Sequence, residues 1–378
     1  MRKIVIDATN IGLGGGVTHL IELLKHSHLC ESQIIVYASE NTLARLDGDR
    51  VIKRTHPLLN KSIFHRIFYQ KVYFDRELFR EKEAILFSIT GDYSGTFSPM
   101  VGMSRNMLLY EREHWDYLNN PKESLKFFLG YLRQRRSFRK AKHIIFISKY
   151  AQQYVSDKLN LPTSKSTVIH HGVSRRFVNS PSCNDSINDF SVKRPFVFTY
   201  VSTIHTYKNH VPLIEAVGQL RKEGFPVKLR IIGGIINRKA GKAMFSAMKK
   251  VDRSCLFIEY LEHQPYEEIE KHYKNSHGLV YSSTCENMPN ILIEAMSSGV
   301  PIACSDKQPM PEFLKGNGYY FDALDVMSVK NAMINLMEDP KASKEMAERN
   351  MEEVQKYSWE KTAKESFSIL KRVYDNHK

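Results

Sequence analysis

The stretch from Gly278 to Cys304, GLVYSSTCENMPNILIEAMSSGVPIAC, constrains the fold more than any other part of the chain. Gly278 to Ser282 is short and largely apolar, as a strand covered on both faces is. It runs into a polar turn, Ser283-Thr284-Cys285-Glu286-Asn287. Pro289 suits the first turn of a helix, where its missing N–H costs nothing. Ile291, Leu292, Ala295 and Met296 recur at helical spacing and give that helix one apolar face. Gly299 and Pro301 stop it, and Val300 to Cys304 is a second apolar strand. The reading is a β-α-β unit. In open α/β sheets ligands bind at the carboxyl ends of the strands, and Glu286 stands at that lip. Glu294 follows, about a turn and a half into the helix.

A helix N-terminus offers free N–H groups and a partial positive charge, which suits a diphosphate. Carboxylates cannot face phosphate, so Glu286 and Glu294 need another partner nearby. An ionised carboxylate accepts two hydrogen bonds at once and so fits a vicinal diol, such as ribose and hexoses carry. The unit therefore fits a molecule with two sugars and a diphosphate between them. Two glutamates at this spacing are by themselves a common chance match, with one a turn residue and the other solvated.

The full string is more specific. A small-polar turn, Glu286, seven residues, then Glu294-Ala295-Met296-Ser297-Ser298-Gly299-Val300-Pro301 resembles glycosyltransferase family 4, the retaining transferases of GT-B fold. The resemblance implies an α/β architecture of two Rossmann-like domains with parallel sheets facing across a cleft, and a C-terminal helix crossing back to the first domain. Expected boundaries are residues 1–178 for an acceptor-side domain, 179–194 for a linker, 195–356 for a nucleotide-sugar-binding domain and 357–378 for the crossover helix. The linker is placed on composition, since NSPSCNDSINDFSVKR is rich in Ser, Asn, Asp and Pro.

A chain of 378 residues is long enough for two cores. No apolar run approaches the ~20 residues of a membrane span. The opening MRKIVIDATNIG is too short in its apolar part for a signal peptide and reads as a first strand, Lys3 to Asp7. Five scattered cysteines without a C-x-x-C pair suggest reduced thiols and a cytoplasmic protein. The net charge of +14 is compatible with an anionic membrane surface, nucleic acid or anionic substrates.

Along the first half, Thr9 to Gly16 is a glycine-rich loop before a helix, Val17 to Lys25. It lacks the G-x-G-x-x-G pattern of a dinucleotide site, which disfavours a nicotinamide dehydrogenase. By resemblance, Gly15 and Gly16 lie at the donor phosphates. Asp47-Gly48-Asp49 matches a D-x-D metal motif but is also ordinary turn chemistry, and no metal is expected. Ser62 to Arg80 and Ser124 to Lys142 read as amphipathic helices. The first sets Phe64, Ile67, Phe68, Val72 and Phe79 among Arg66, Lys71 and Arg76. The second follows Leu125, Phe127, Phe128, Tyr131 and Leu132 with a run of arginines and lysines. Such faces fit an anionic bilayer, or a core-packed helix with a solvated basic edge. Met103 to Leu108 resembles the family segment that reads H-D or H-N. Arg105 replaces the histidine and Asn106 matches the second position, so Asn106 is a candidate near the reacting sugar. Glu111, Glu113 and His114 follow in the same loop. Val168 to Val173 resembles V-I-P-N-G-V, with His170 and His171 in place of Pro and Asn.

In the second half, Phe196 to Ser202 is a buried strand and Lys208 stands at the start of the next helix, able to reach a phosphate as a mobile charge. The family pattern is G-R-x-x-x-x-K-(G/N). Ser202 and Thr203 replace Gly and Arg, while Lys208 and Asn209 match. Gly233 ends the following strand, where the family's nucleotide meets the sheet. Tyr357-Ser358-Trp359 resembles the family's closing F-S-W.

The resulting expectation is a retaining glycosyltransferase using a UDP- or GDP-type sugar donor and a glycan or lipid-linked glycan acceptor, in surface polysaccharide or lipopolysaccharide assembly. Lys208, Glu286 and Asn106 are the catalytic candidates. Gly15, Gly16, Lys208, Gly233, Glu286, Asn287, Met288, Pro289, Asn290 and Glu294 are the donor-binding candidates. No cofactor and no nucleic-acid partner are expected, and the placement is cytoplasmic, compatible with the inner face of the cell membrane. A sugar-nucleotide epimerase of the same fold and a basic nucleic-acid-binding protein are the alternatives.

Overall fold

The computed structural model describes residues 2–12, 15–46, 51–113, 121–177 and 186–377. Asp47-Gly48-Asp49, His114 and residues 178–185 of the expected linker lie outside the described residues. The chain divides into two compact units. The first runs to Gly172 and resumes at Tyr357; the second is Val173–Lys356.

The first unit holds a seven-stranded sheet: β1 (Lys3–Asp7), β2 (Gln33–Tyr37), β3 (Val51–Arg54), β4 (Ala84–Ser88), β5 (Met100–Ser104), β6 (His143–Phe146) and β7 (Ser166–Val168). The spatial order is β3-β2-β1-β4-β5-β6-β7, and every pairing is parallel. Ile6 sits between Val36 and Phe87 in register. The second unit holds β8 (Phe196–Val201), β9 (Val227–Ile232), β10 (Ile258–Leu261), β11 (Gly278–Tyr281), β12 (Ile302–Ser305) and β13 (Tyr319–Phe321). Their order is β10-β9-β8-β11-β12-β13, again all parallel. Both orders are Rossmann-like. Parallel strands need long crossovers, so both faces are covered by helices and the strands read as unbroken apolar runs. Val5, Ile6, Leu86, Phe198 and Leu229 are accordingly fully buried.

Strand order reverses between β1 and β4 in the first unit, and between β8 and β11 in the second. At those points the loops leaving adjacent strands run in opposite directions and open a crevice at the carboxyl ends. The glycine-rich loop follows β1. The loops carrying Lys208 and Glu286 follow β8 and β11.

Composition set the domain boundary at 178, but the contacts set it at Gly172. Gly172 is held in the first unit: a side chain there would come within 2.1 Å of the Trp359 backbone nitrogen. Phe177, a few residues on, already packs on Tyr266 and Tyr273 of the second unit. The last helix, Trp359–Asp375, packs on the helix Gly15–Lys25 and on β4.

The helix expected over Ser62–Arg80 is continuous but not uniform. An α segment, Ile63–Tyr69, passes through a π turn, Gln70–Phe74, into a second α segment, Asp75–Arg80. The extra residue per turn rotates the buried face, so Tyr69, Gln70, Phe74 and Leu78 point inward. Phe64, Phe68 and Phe79 are left exposed. A short helix, Met310–Leu314, follows β12. No helix among the described residues is long and apolar enough to cross a membrane.

Candidate active site

The lip of the second unit is built by two loops stitched together. Asn209 adopts a left-handed conformation, φ 50°, which asparagine tolerates better than most residues. Its amide then donates to Tyr207 O (3.1 Å), Ser282 O (2.8 Å) and Thr284 Oγ1 (3.2 Å). Thr284 N donates back to Tyr207 O at 2.9 Å. The loop after β8 is thereby fixed against the loop after β11.

Fixing those loops brings Lys208 and Glu286 together. The Lys208 ammonium donates to Glu286 Oε1, and the two side chains are only 7% and 15% exposed. Tyr281 Oη donates to the same oxygen at 2.8 Å. The ammonium also lies 5.3 Å and 5.5 Å from the ring centres of Tyr207 and Tyr281. Glu286 Oε2 has no hydrogen-bond partner among the described residues. His205 and His210 flank the lysine. Burial first, and the Lys208 charge second, hold their pKa values down at about 4 and about 3. Both imidazoles are neutral near pH 7, which leaves Lys208 as the cation of this loop.

Glu286 leads into a tight turn and the helix Asn290–Ser297. Pro289 is the cap of this helix rather than part of its first turn. It withholds no helical N–H there. Asn287 is 5% exposed, and neither its amide nitrogen nor its oxygen has a partner. Buried amides are rarely left so, and this one stands at the helix entrance. Met288 is buried beside it and Asn290 is half-buried.

Glu294 is the fifth residue of the helix. Tyr266 Oη donates to its Oε1 at 2.7 Å, and Arg176 stacks over the Tyr266 ring at 5.2 Å. Burial pushes the Glu294 pKa up to about 7, against the lowering effects of the Tyr266 hydrogen bond and the Arg176 charge. Glu294 Oε2 has no partner among the described residues. Each glutamate is thus anchored through one oxygen and presents the other.

Gly233 follows β9 at φ +149°, and a side chain there would fall 1.9 Å from Ser202 O. The two loops can approach this closely only because the residue is glycine.

In the first unit, the helix after β1 begins at Gly15, with Gly16 beside Arg105: a Cβ on Gly16 would lie 3.3 Å from Arg105 Nη1. Asn106, the sequence candidate, is exposed, and its side chain caps a short turn by accepting from Leu108 N at 3.1 Å. Sequence reasoning passed over a polar network at the β1 and β4 ends. Asp7 accepts from Thr9 N (3.1 Å), Thr9 Oγ1 (2.6 Å) and Gln70 Nε2 (3.2 Å). Asp92 accepts from Asn10 (3.0 Å), Thr90 (2.5 Å) and Arg133. Burial, and then the Asp92 charge, raise the Asp7 pKa to about 6. Gln70 reaches this network because the π turn aims it inward, a deviation that periodicity cannot show.

Comparison with known proteins agrees with this geometry. Residues 185–353 match the family model described as glycosyl transferases group 1. The matched stretch contains the two stitched loops, both glutamates and the N-terminus of the helix Asn290–Ser297. O-antigen chain mannosyltransferase B of Escherichia coli is 22% identical over 254 residues. That match spans 67% of this chain and 66% of the mannosyltransferase, just under two thirds of its length. Among solved structures, Anabaena HepE in complex with UDP and glucose superposes with a TM-score of 0.72 at 15% identity, covering 97% of this chain and 98% of that one. Sucrose-phosphate synthase from Thermosynechococcus elongatus superposes with a TM-score of 0.76 at 13% identity, over 100% of both chains. The fold is GT-B.

Proposed function

We propose that the protein transfers a hexosyl group from a nucleoside-diphosphate sugar, of UDP or GDP type, to a glycan or lipid-linked glycan acceptor, with retention at the anomeric carbon and without a metal. The observation that carries this reading is the pair of glutamates flanking one helix N-terminus, each anchored through one oxygen with the other presented. Glu294 Oε2 takes the ribose diol and Glu286 Oε2 takes donor-sugar hydroxyls. The diphosphate lies at the N-terminus of the helix Asn290–Ser297, where backbone N–H groups and Lys208 face the charge that grows on the leaving group. The Asn287 amide, buried without a partner, donates to the donor and accepts from it. Gly233 keeps the nucleotide side of the crevice open. The UDP and glucose of the HepE complex support a nucleotide-sugar donor. The O-antigen relative supports a surface-polysaccharide acceptor.

Peripheral binding at the cytoplasmic membrane face fits this role. Phe64, Phe68 and Phe79 are exposed on one basic helix, and Leu125, Phe128 and Leu129 on Pro121–Lys140. A lipid-linked acceptor would be met at such a surface.

The test is a thermal-shift screen of UDP-, GDP-, ADP- and TDP-sugars, followed by product analysis with the stabilising donor and a lipid-linked acceptor. Stabilisation by at least one sugar nucleotide, and a glycosylated product, are expected. No stabilisation by any of the four would end the reading, and conversion of the donor without acceptor would turn it towards epimerisation.

A further inference from the structure

We propose that the first unit carries a second binding site, at the amino ends of its strands, for an amphipathic anion: a phosphate or carboxylate head on a short apolar body. A cavity of about 760 Å³ opens there, within the size range of small-molecule pockets. Every residue lining it belongs to the first unit. Arg2 and Lys3 stand at the start of β1, Ser32 just before β2, and Ile85 near the start of β4. The lip described above lies at the other end of the same strands, so the cavity is no part of that crevice. The remaining wall is one side of the closing helix, Trp359–Asp375. Lys364, Phe367, Ser368, Lys371 and Tyr374 recur there at three- and four-residue spacing and so share a face.

Floor and rim differ in chemistry. Ile4, Ile85, Phe367 and Leu370 line the cavity from the core side and make its floor apolar. At the rim the charges do not cancel. Arg2 is paired with Asp375 at 2.9 Å, and Lys3 with Glu81 at 2.6 Å. Among the described residues the side chains of Lys364 and Lys371 have no ion pair or hydrogen bond, and they face Glu31 as the one unpaired acid of the lining. The two lysines stand two turns apart, ~10.5 Å along the axis. Their flexible stems allow both ammonium groups to turn to a single head. Exposed lysines are ordinary at a surface, but these border an apolar hollow of a kind that side chains normally fill. An apolar body removes that floor from water, and an anionic head meets the excess of ammonium groups. Neither a bare anion nor a neutral hydrocarbon does both.

The site stands apart from the transferase reading, and its test needs no turnover. Full-length protein is titrated calorimetrically with octyl phosphate and octanoate, both below their micellar concentrations, and with octanol and inorganic phosphate. At least one octyl anion should bind and raise the melting temperature, and the tighter of the two assigns the head. Octanol and inorganic phosphate should bind at least about tenfold more weakly, since each lacks one half of the match. Changing Lys364→Gln and Lys371→Gln together should weaken the octyl anion about tenfold and leave the ligand-free melting temperature unchanged. Ser368→Trp, which fills the cavity from an exposed position, should abolish binding. Changing Lys249→Gln and Lys250→Gln together, on the helix Arg238–Val251 of the second unit, removes the same charge and should leave the affinity intact. No binding of either octyl anion, equal binding of octanol or inorganic phosphate, or binding that survives Ser368→Trp overturns the inference. So does an equal loss in the Lys249 and Lys250 control, which would mark a non-specific attraction to the basic surface.

Discussion

The two units share a strand order but treat charge at the crevice in opposite ways. In the second unit, Lys208, Glu286 and Tyr281 satisfy one another and leave single oxygens over. In the first, the carboxylates Asp7 and Asp92 are turned inward onto Thr9, Gln70, Asn10 and Arg133, while the buried Nε of Arg105 has no partner among the described residues. One lip presents carboxylate oxygens without partners among the described residues; the other turns its carboxylates inward.

Breaking the Lys208–Glu286 pair should have the largest effect. Lys208→Ala removes the cation proposed to face the phosphate and strands a buried carboxylate, so turnover should fall by roughly a hundredfold or more with a loss of about 2 kcal/mol of stability. Lys208→Met with Glu286→Gln should recover the stability but not the turnover; recovery of both would show that the pair is only structural. Gly233→Ala should come next. The Cβ meets Ser202 O, and the left-handed φ adds strain, so denaturant unfolding should report a loss of about 2 kcal/mol. Asp92→Ala leaves Arg133 and Asn10 unpaired in the first unit and should cost about 1–3 kcal/mol. Because the second unit is untouched, UDP or GDP affinity should hold, and a parallel loss of affinity would erase the contrast between the units.

The smallest effect is a pH dependence. The folded Glu294 pKa is raised to about 7, so the carboxyl is mostly protonated at pH 6 and mostly ionised at pH 8. Only the ionised form accepts two hydrogen bonds from a diol. Nucleotide affinity should therefore rise about tenfold from pH 6 to pH 8, and Glu294→Gln should flatten the profile. The sign for stability is the reverse. A raised carboxyl pKa favours folding below about pH 4.5 and loses that contribution as pH climbs through 7.

The second unit was largely legible because its chemistry is local. Strand, turn, cap and helix lie within Gly278–Cys304, and the spacing of Glu286 and Glu294 carries the geometry. Lys208 could be found by its place before a helix, but its pairing with Glu286 could not, since the residues meet only when β8 and β11 become neighbours. The first unit was harder. Gln70 reaches Asp7 through a π turn, which breaks the period that sequence reading relies on. Asn106 drew attention by resemblance, yet it caps a turn, and its neighbour Arg105 lies at the glycines. Tyr266 and Tyr281 orient the two glutamates with no motif of their own.

The closing helix, Trp359–Asp375, bears on how the chain is made. It covers the helix Gly15–Lys25 and β4, and Trp359 packs beside His19 and His171. The first unit thus waits for residues translated after the whole second unit before its apolar surface is sealed. A stop codon shortly before Trp359 would spare every strand of the second unit and still leave the first one unfinished.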